Sequence, residues 1–169
     1  MALRISTYRA GLPNYPMPRA LLREAVRFVL QQEGIGTATV RIILADDRTI
    51  QELNRQYLQH DHPTDVLTFV LESAPLEAEI YIGVQQAQRQ AVDYGVSLAE
   101  ELVRLSIHGI LHALGYDDKA PTQRRTMEAQ QERYLQNYLR RDPQANRTFT
   151  EGGPASARTL PGSHRRLVR

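Results

Sequence analysis

Short runs of β-branched and apolar residues alternate with amphipathic helical segments, and this order limits the possible folds more than any other feature of the chain. Four segments have the composition of strands, at residues 2–9, 38–45, 65–71 and 79–84. Five have the apolar spacing of helices, at residues 18–33, 47–57, 85–94, 97–114 and 122–140, with Asp46 or Asp47 as the N-cap of the second. The order βαβαββααα predicts an α/β fold: a mixed four-stranded sheet with about five helices, in which the two adjacent strands pair antiparallel.

The composition changes after the last predicted helix. Residues 142–169 are rich in Gly, Pro, Ser, Thr and Arg and have almost no core-forming residues, which predicts a disordered tail. Residues 140–169 carry a net charge of +5, so residues 1–139 carry −3 of the chain's total of +2. We therefore expect a folded, net acidic domain at residues 1–141 and an Arg-rich tail at residues 142–169.

Several classes of protein are excluded by composition. The chain has 169 residues, which suits one domain, and it has no cysteine, so disulfides, thiolate zinc sites and cysteine nucleophiles are excluded. No apolar run approaches the roughly 20 residues of a membrane span. The first residues lack the apolar core of a secretory signal, so a cytoplasmic protein is expected.

The most informative segment is a helix that carries two histidines. His108 and His112 are four residues apart in an otherwise apolar helix, so their imidazoles lie on one face, one turn apart. Gly115 allows a left-handed exit from the helix, after which Asp117 or Asp118 could return an oxygen ligand. Two nitrogens and one carboxylate, with a fourth position left for water, form the pattern of a catalytic zinc site. The alternative is a pair of buried histidines with ordinary hydrogen-bond partners.

Three motifs in this chain resemble the YbeY family of bacterial endoribonucleases. The run from His108 to Asp118, His-Gly-Ile-Leu-His-Ala-Leu-Gly-Tyr-Asp-Asp, is similar to the family signature His-Gly-x-Leu-His-Leu-x-Gly-Tyr-Asp-His. The segment from Leu53 to Phe69 is similar to the family's Leu-Asn-x-x-Tyr-Arg-x-x-Asp-x-Pro-Thr-Asp-Val-Leu-Ser-Phe. The strand that begins at Glu79 is similar to Gly-Asp-Ile-x-Ile. The motifs occur in the family's order.

The resemblance implies a zinc-dependent, single-strand-specific endoribonuclease with one zinc ion. It implies a role in maturation of the 3′ end of small-subunit rRNA and in ribosome quality control. The implied partners are single-stranded RNA, rRNA and the small ribosomal subunit, and neither DNA nor a membrane. The family binds zinc through three histidines, and by motif position these fall on His108, His112 and Asp118.

Two departures from the family motifs bear on the chemistry, besides a looser one at Ala78-Glu79, where the family has Gly-Asp. Asp118 stands where the family has its third histidine; a carboxylate can bind zinc, but its charge makes the metal less Lewis-acidic. Leu58 stands where the family has an arginine, and leucine cannot stabilise charge on a scissile phosphate. Arg55, three residues or about one helical turn earlier, is the candidate replacement.

Other polar residues near the motifs leave alternatives open. His60 and His62 lie in a polar loop, where either could donate a proton or simply be exposed. Thr64 and Asp65 are expected to hold that loop through backbone hydrogen bonds. Asp117 is expected either to orient a ligating histidine or to cap the helix exit.

Two other functions compete with the nuclease. A non-catalytic RNA-binding factor for ribosome assembly would keep the fold, and the departures at Leu58 and Asp118 favour it. A metalloprotease shares the two-histidine spacing but needs a glutamate after the first histidine, where this chain has Gly109. The glycine is expected instead to let a strand or the substrate backbone approach closely.

Overall fold

A computed structural model describes residues 2–58 and 64–141 of the chain. The elements in this part of the chain follow the predicted order. The strands are β1 (Ala2–Ala10), β2 (Thr37–Ala45), β3 (Val66–Ser73) and β4 (Leu76–Gly83). The helices are α1 (Arg19–Gln32), α2 (Asp47–Leu53), α3 (Val84–Tyr94), α4 (Leu98–Ala113) and α5 (Pro121–Arg141). The tail predicted at residues 142–169 lies outside the described residues and stays a prediction.

The four strands form one mixed sheet in the order β1–β2–β4–β3. Strands β1, β2 and β4 run parallel, and β3 pairs antiparallel with β4, as predicted for the two consecutive strands. Ile5, Val40 and Ala78 lie in register across the three parallel strands, and the last two are fully buried. Alternate residues of each strand therefore form one apolar face, against which the helices pack.

The hairpin between β3 and β4 is tighter than the sequence suggested. The sequence predicts strands at residues 65–71 and 79–84 and so a connection over residues 72–78; this connection is wrong, because β3 extends to Ser73 and β4 begins at Leu76, which pairs with it. Leu76 and Ala78 are buried and continue the apolar alternation of β4. Their side chains add to the core, and the turn itself is confined to Ala74 and Pro75.

The second helix changes its geometry part-way. Asp46 is the N-cap, and its Oδ1 accepts a hydrogen bond from the Thr49 N–H at 2.9 Å. The predicted helix to about Tyr57 is α-helical only to Leu53 and continues as a π-helical turn, Asn54–Leu58. On an α-helix, side chains at positions i and i+3 point in similar directions. In the wider π-helical turn they diverge. The expected alignment of Arg55 with position 58 is correspondingly weaker.

Helix α4 lies at the centre of the molecule and is buried on all sides. It packs against α1, α3 and α5 and against strands β3 and β4. Every residue from Glu101 to Leu111 is buried, so the helix is apolar around most of its surface. It is nevertheless too short to cross a membrane, and no other helix of the described ranges has the length and apolarity for that.

A glycine allows α4 to approach the sheet. A Cβ placed on Gly109 would lie 2.5 Å from Ile80 Cγ2 of β4, which is far inside van der Waals contact. The Thr68 hydroxyl of β3 also donates to the Gly109 carbonyl, at 3.4 Å. The residue after His108 is thus pressed against the sheet, so His108 itself is fixed by core packing.

Candidate metal centre

The two histidines of α4 lie side by side at the edge of the core. Their ring centroids are 5.4 Å apart and their planes cross at 77°. His108 is 1% exposed, whereas the side chain of His112 is 17% exposed. One histidine of the pair is therefore buried and the other is partly open to solvent. A site that binds a cation and admits substrate needs both.

The chain leaves α4 through a left-handed turn at Gly115, as predicted, with φ +102°. The Gly115 N–H donates to the His112 carbonyl, and the Tyr116 N–H donates to the Leu111 carbonyl, both at 3.1 Å. These two bonds form a Schellman motif, which closes the helix and turns the chain back on itself. The reversal returns Asp118 to the histidines.

Asp118 completes a group of three possible ligands. It is 5% exposed, and its Oδ1 lies 3.7 Å from His112 Nε2. One ligand atom from each of His108, His112 and Asp118 lies within 4.8 Å of the others. Arg124, on the first turn of α5, donates from Nε to the Asp118 carbonyl at 3.2 Å and holds its backbone in place.

Each histidine is oriented by a hydrogen bond at Nδ1. His112 Nδ1 lies 2.9 Å from the Tyr116 carbonyl oxygen, which can only accept, so Nδ1 carries the proton and Nε2 keeps a lone pair. His108 Nδ1 lies 2.8 Å from Gln131 Oε1, and with the amide oxygen towards the ring this Nδ1 also carries the proton. A histidine that donates from one nitrogen to a fixed oxygen and offers the other nitrogen is typical of metal ligands.

The surroundings of the remaining ligand atoms test whether a metal fits. His112 Nε2 and Asp118 Oδ2 are buried and have no hydrogen-bond partner within residues 2–58 and 64–141. Buried polar atoms without partners are unfavourable, and a cation between them would satisfy both. Two imidazole nitrogens and a carboxylate oxygen suit zinc and leave one tetrahedral position open. The residues present therefore fit the group that the sequence predicts.

The remaining predicted site residues lie in different surroundings. Asp117 is half-buried, and its Oδ1 accepts the Lys119 N–H at 2.9 Å, so it caps the turn. That backbone hydrogen bond lowers the pKa of Asp117. His112 is oriented by the Tyr116 carbonyl instead. Arg55 lies on the π-helical turn with an exposed side chain, and its role stays a prediction. The loop histidines, at residues 60 and 62, lie outside the described residues.

Asp65 is a buried carboxyl at the start of β3. Its Oδ1 accepts the Val66 N–H, and its carbonyl accepts the Gly83 N–H, both at 2.8 Å. These bonds tie Asp65 to β3 and to the end of β4. The loop at residues 59–63 lies outside the described residues, so the expectation that Thr64 and Asp65 hold it stays a prediction. Burial raises the pKa of Asp65 to about 7, opposed by the Val66 hydrogen bond.

Three residues that orient the candidate ligands were not identified from the sequence: Tyr116, Arg124 and Gln131. Tyr116 acts through its own backbone carbonyl, and Arg124 binds the backbone carbonyl of Asp118. No sequence pattern reveals contacts of this kind. Gln131 did leave a signal, since it is a polar residue four positions from Met127 and from Leu135, which are both core residues of α5. A glutamine on an apolar stripe needs a buried partner.

The geometry at Gly109 argues against the protease alternative. A glutamate general base at this position would have to place its Cβ within the space of Ile80. The residue next to His108 therefore serves helix–sheet packing, which is one of the two roles expected from the sequence.

Comparisons with known proteins agree with the geometry. A family model described as Endoribonuclease YbeY matches residues 14–139. Endoribonuclease YbeY of Pelotomaculum thermopropionicum is 43% identical over 125 residues, which cover 68% of this chain and 82% of the relative. The same protein of Chlorobium phaeovibrioides is 38% identical over 120 residues, covering 70% and 81%. The solution structure of a Thermotoga maritima protein matches with a TM-score of 0.63 and 27% identity, covering 93% of this chain and 100% of that one. The resemblance found in the motifs is confirmed, and the chain belongs to the YbeY endoribonuclease family.

Proposed function

We propose that this protein is a zinc-dependent endoribonuclease that cleaves single-stranded RNA. One observation carries the proposal: the ligand atoms of His108, His112 and Asp118 converge within 4.8 Å. The hydrogen bonds at both Nδ1 atoms support it, because they leave each Nε2 as an acceptor. Membership in a family whose relatives are named endoribonucleases supports the reaction class.

The three side chains would hold the ion in distinct ways. His108 is fixed within the core and His112 by the turn at the end of α4, so neither ring needs to reorganise to bind. Asp118 supplies the negative charge that offsets part of the cation's charge in a buried place. When bound, zinc supplies Lewis acidity that polarises a phosphoryl oxygen and makes water more acidic.

Charge that develops on the scissile phosphate also needs a cationic side chain. The family motif has an arginine at the position of Leu58, so this chain must supply the charge elsewhere. We propose Arg55, which lies in the same π-helical turn. The net acidic folded domain leaves general RNA affinity to local arginines and to the Arg-rich tail.

We place the activity in maturation of the 3′ end of small-subunit rRNA and in ribosome quality control, in the cytoplasm. The small ribosomal subunit would then be its partner. The family resemblance supports this placement.

The test compares two neighbouring carboxylates. The purified protein is incubated with unstructured RNA as isolated, after a chelator, and after zinc is restored. Asp118→Asn should lower the cleavage rate at least tenfold and weaken zinc binding, because it removes a charged ligand. Asp117→Asn is the control, and we expect its rate within twofold of the wild type, since Asp117 is not in the ligand group and its Oδ1 accepts the Lys119 N–H. Intact RNA in every wild-type sample with zinc bound would contradict the proposal.

A second candidate is a non-catalytic RNA-binding factor for ribosome assembly. Leu58 and Asp118, which both depart from the family motifs, favour it. It predicts rRNA association that persists in a folded His112→Ala variant and no RNA cleavage by the zinc-loaded wild type. Cleavage that His112→Ala abolishes would exclude it.

A further inference from the structure

Gln131 is a buried polar residue on the core-facing side of α5. It is 3% exposed, and its Oε1 lies 2.8 Å from His108 Nδ1. The amide could in principle present either its oxygen or its NH₂ group to the ring. The two orientations have opposite consequences. An oxygen stabilises the proton on Nδ1 and leaves Nε2 with its lone pair, whereas an NH₂ group favours the tautomer in which Nε2 is protonated.

The neighbours of Gln131 decide between the two orientations. Its Nε2 faces Glu132 Oε1 at 3.5 Å, a weak contact but one with a charged acceptor. A flipped amide would place its oxygen against that carboxylate, and the two would repel each other. Glu132 is itself held by Arg104, whose Nε donates to Glu132 Oε1 at 2.8 Å.

Arg104 is in turn held in one place. It is 3% exposed, and its NH1 group donates to Glu101 Oε2 at 3.1 Å. Glu101 is fully buried and lies one turn earlier on α4. Buried ion pairs with good geometry have little freedom to rearrange. The orientation of Glu132 is therefore set by the same helix that carries His108.

We infer that the Arg104–Glu132–Gln131 chain positions His108 for metal binding by holding it in the tautomer with a proton on Nδ1. Gln131 is a positioning residue: it acts through His108. This inference rests on the proposed metal centre. It adds Gln131 as the residue that sets the tautomer of one ligand, His108. The pairwise contacts run from α4 to α5 and back, so the two helices must be docked before His108 is ready to bind.

The experiment measures zinc affinity and histidine tautomer separately from RNA cleavage. Zinc dissociation constants are measured by competition with a chromophoric chelator. The ¹⁵N shifts of His108 are recorded in the metal-free protein, where they report which nitrogen carries the proton. The variants are Gln131→Leu, Gln131→Glu and Glu132→Gln. Gln136→Leu is the matched control, because Gln136 is a half-buried glutamine on the same helix and lies outside this chain of contacts.

We expect the Gln131→Leu variant to bind zinc 10- to 100-fold more weakly, the range found when such outer partners are removed. Gln131→Glu always presents an oxygen to His108 Nδ1 but places its second oxygen against the Glu132 carboxylate, so we expect its zinc affinity to lie between those of Gln131→Leu and the wild type. Glu132→Gln should give a mixture of both tautomers of His108. Gln136→Leu should change neither readout.

Two results would overturn the inference. One is a metal-free wild type in which His108 carries its proton on Nε2. The other is zinc affinity in Gln131→Leu equal to that of Gln136→Leu. If Gln131→Leu fails to fold, an unchanged His108 tautomer in Glu132→Gln overturns the inference in its place. If the wild type binds zinc and shows the Nδ1 tautomer but cleaves no RNA, the proposed function fails and this inference stands.

Discussion

His112 Nδ1 and the carbonyl oxygen of Tyr116 lie 2.9 Å apart, so the turn that ends α4 also aims one of the candidate ligands. The N–H of the same tyrosine closes the helix by donating to the Leu111 carbonyl. One residue thus satisfies an end carbonyl of the helix and fixes a histidine tautomer with its two backbone groups. Orientation of His112 and return of Asp118 depend on the same local backbone conformation.

Gly115→Ala tests this dependence. Gly115 has φ +102°, and a Cβ there would meet no atom within 4 Å, so the effect of alanine is backbone strain alone. We expect a loss of about 1–2 kcal/mol in the free energy of unfolding. We also expect weaker zinc binding, because relaxation of the turn moves Tyr116 and Asp118. Urea denaturation and chelator competition measure the two effects.

Gly34→Ala is the matched control for that strain. Gly34 follows α1 with φ +74° and likewise has open space around its Cβ position. It should lose a similar free energy of unfolding but keep its zinc affinity. Equal zinc affinities in the two variants would show that the α4 turn does not position the ligands.

Gly109→Ala tests the close contact between α4 and β4. The new methyl group would lie 2.5 Å from Ile80 Cγ2, and overpacking of this kind destabilises by about 1–3 kcal/mol. Ile80→Ala creates space at the same point but loses buried area, so it destabilises alone by about 2–5 kcal/mol. The double variant should lose less free energy of unfolding than the sum of the two single variants. If the losses of the two single variants simply add in the double variant, residue 109 and Ile80 are not in tight contact.

The sequence predicted the fold and the three candidate ligands because both depend on local patterns. Apolar alternation placed the strands, and apolar spacing with Gly34 and Gly115 placed the ends of two helices. His108, His112 and the glycine exit lie within eight residues of one another, so helix geometry alone brings the two rings together. The family resemblance then selected Asp118 rather than Asp117.

What the sequence did not predict depends on packing between distant segments. The π-helical turn after Leu53 places no signature in the local apolar spacing, and the extension of β4 to Leu76 depends on its pairing with β3. Gln131 is 23 residues from His108, and their contact exists only because α5 docks on α4. Such contacts follow from the tertiary fold, which single-sequence patterns do not specify.

Asp65→Asn tests the pH dependence of stability. Burial raises the pKa of Asp65 from 3.8 to about 7 in the folded protein. Between these values the folded state holds a proton that the unfolded state has lost, so the free energy of unfolding falls as pH rises from about 4 to about 7. Asparagine can still accept the Val66 N–H and does not titrate. We expect the free energy of unfolding of the variant, relative to that of the wild type, to rise by about 2–3 kcal/mol between pH 5 and pH 8.

Urea denaturation across that pH range measures the difference. Asp93 is an exposed carboxylate on α3, so Asp93→Asn is the control. Its free energy of unfolding should differ from that of the wild type by nearly the same amount at every pH. An Asp65→Asn advantage that is flat, or that grows towards acid pH, would contradict the assignment of the buried proton to Asp65.

Asp118→His tests whether residue 118 is a metal ligand, by restoring the residue of the family motif. Replacing the carboxylate with a neutral imidazole makes the net charge of the site more positive by one unit. Water at the cation then becomes more acidic, so we expect the midpoint of the pH–rate profile for RNA cleavage to fall by roughly one pH unit. The zinc content of each sample is measured alongside, because histidine is larger than aspartate and Asp118 is 5% exposed. Asp117→His, at the neighbouring position outside the ligand group, should leave the midpoint in place. An unchanged midpoint in Asp118→His at full zinc occupancy would mean that residue 118 does not contact the ion.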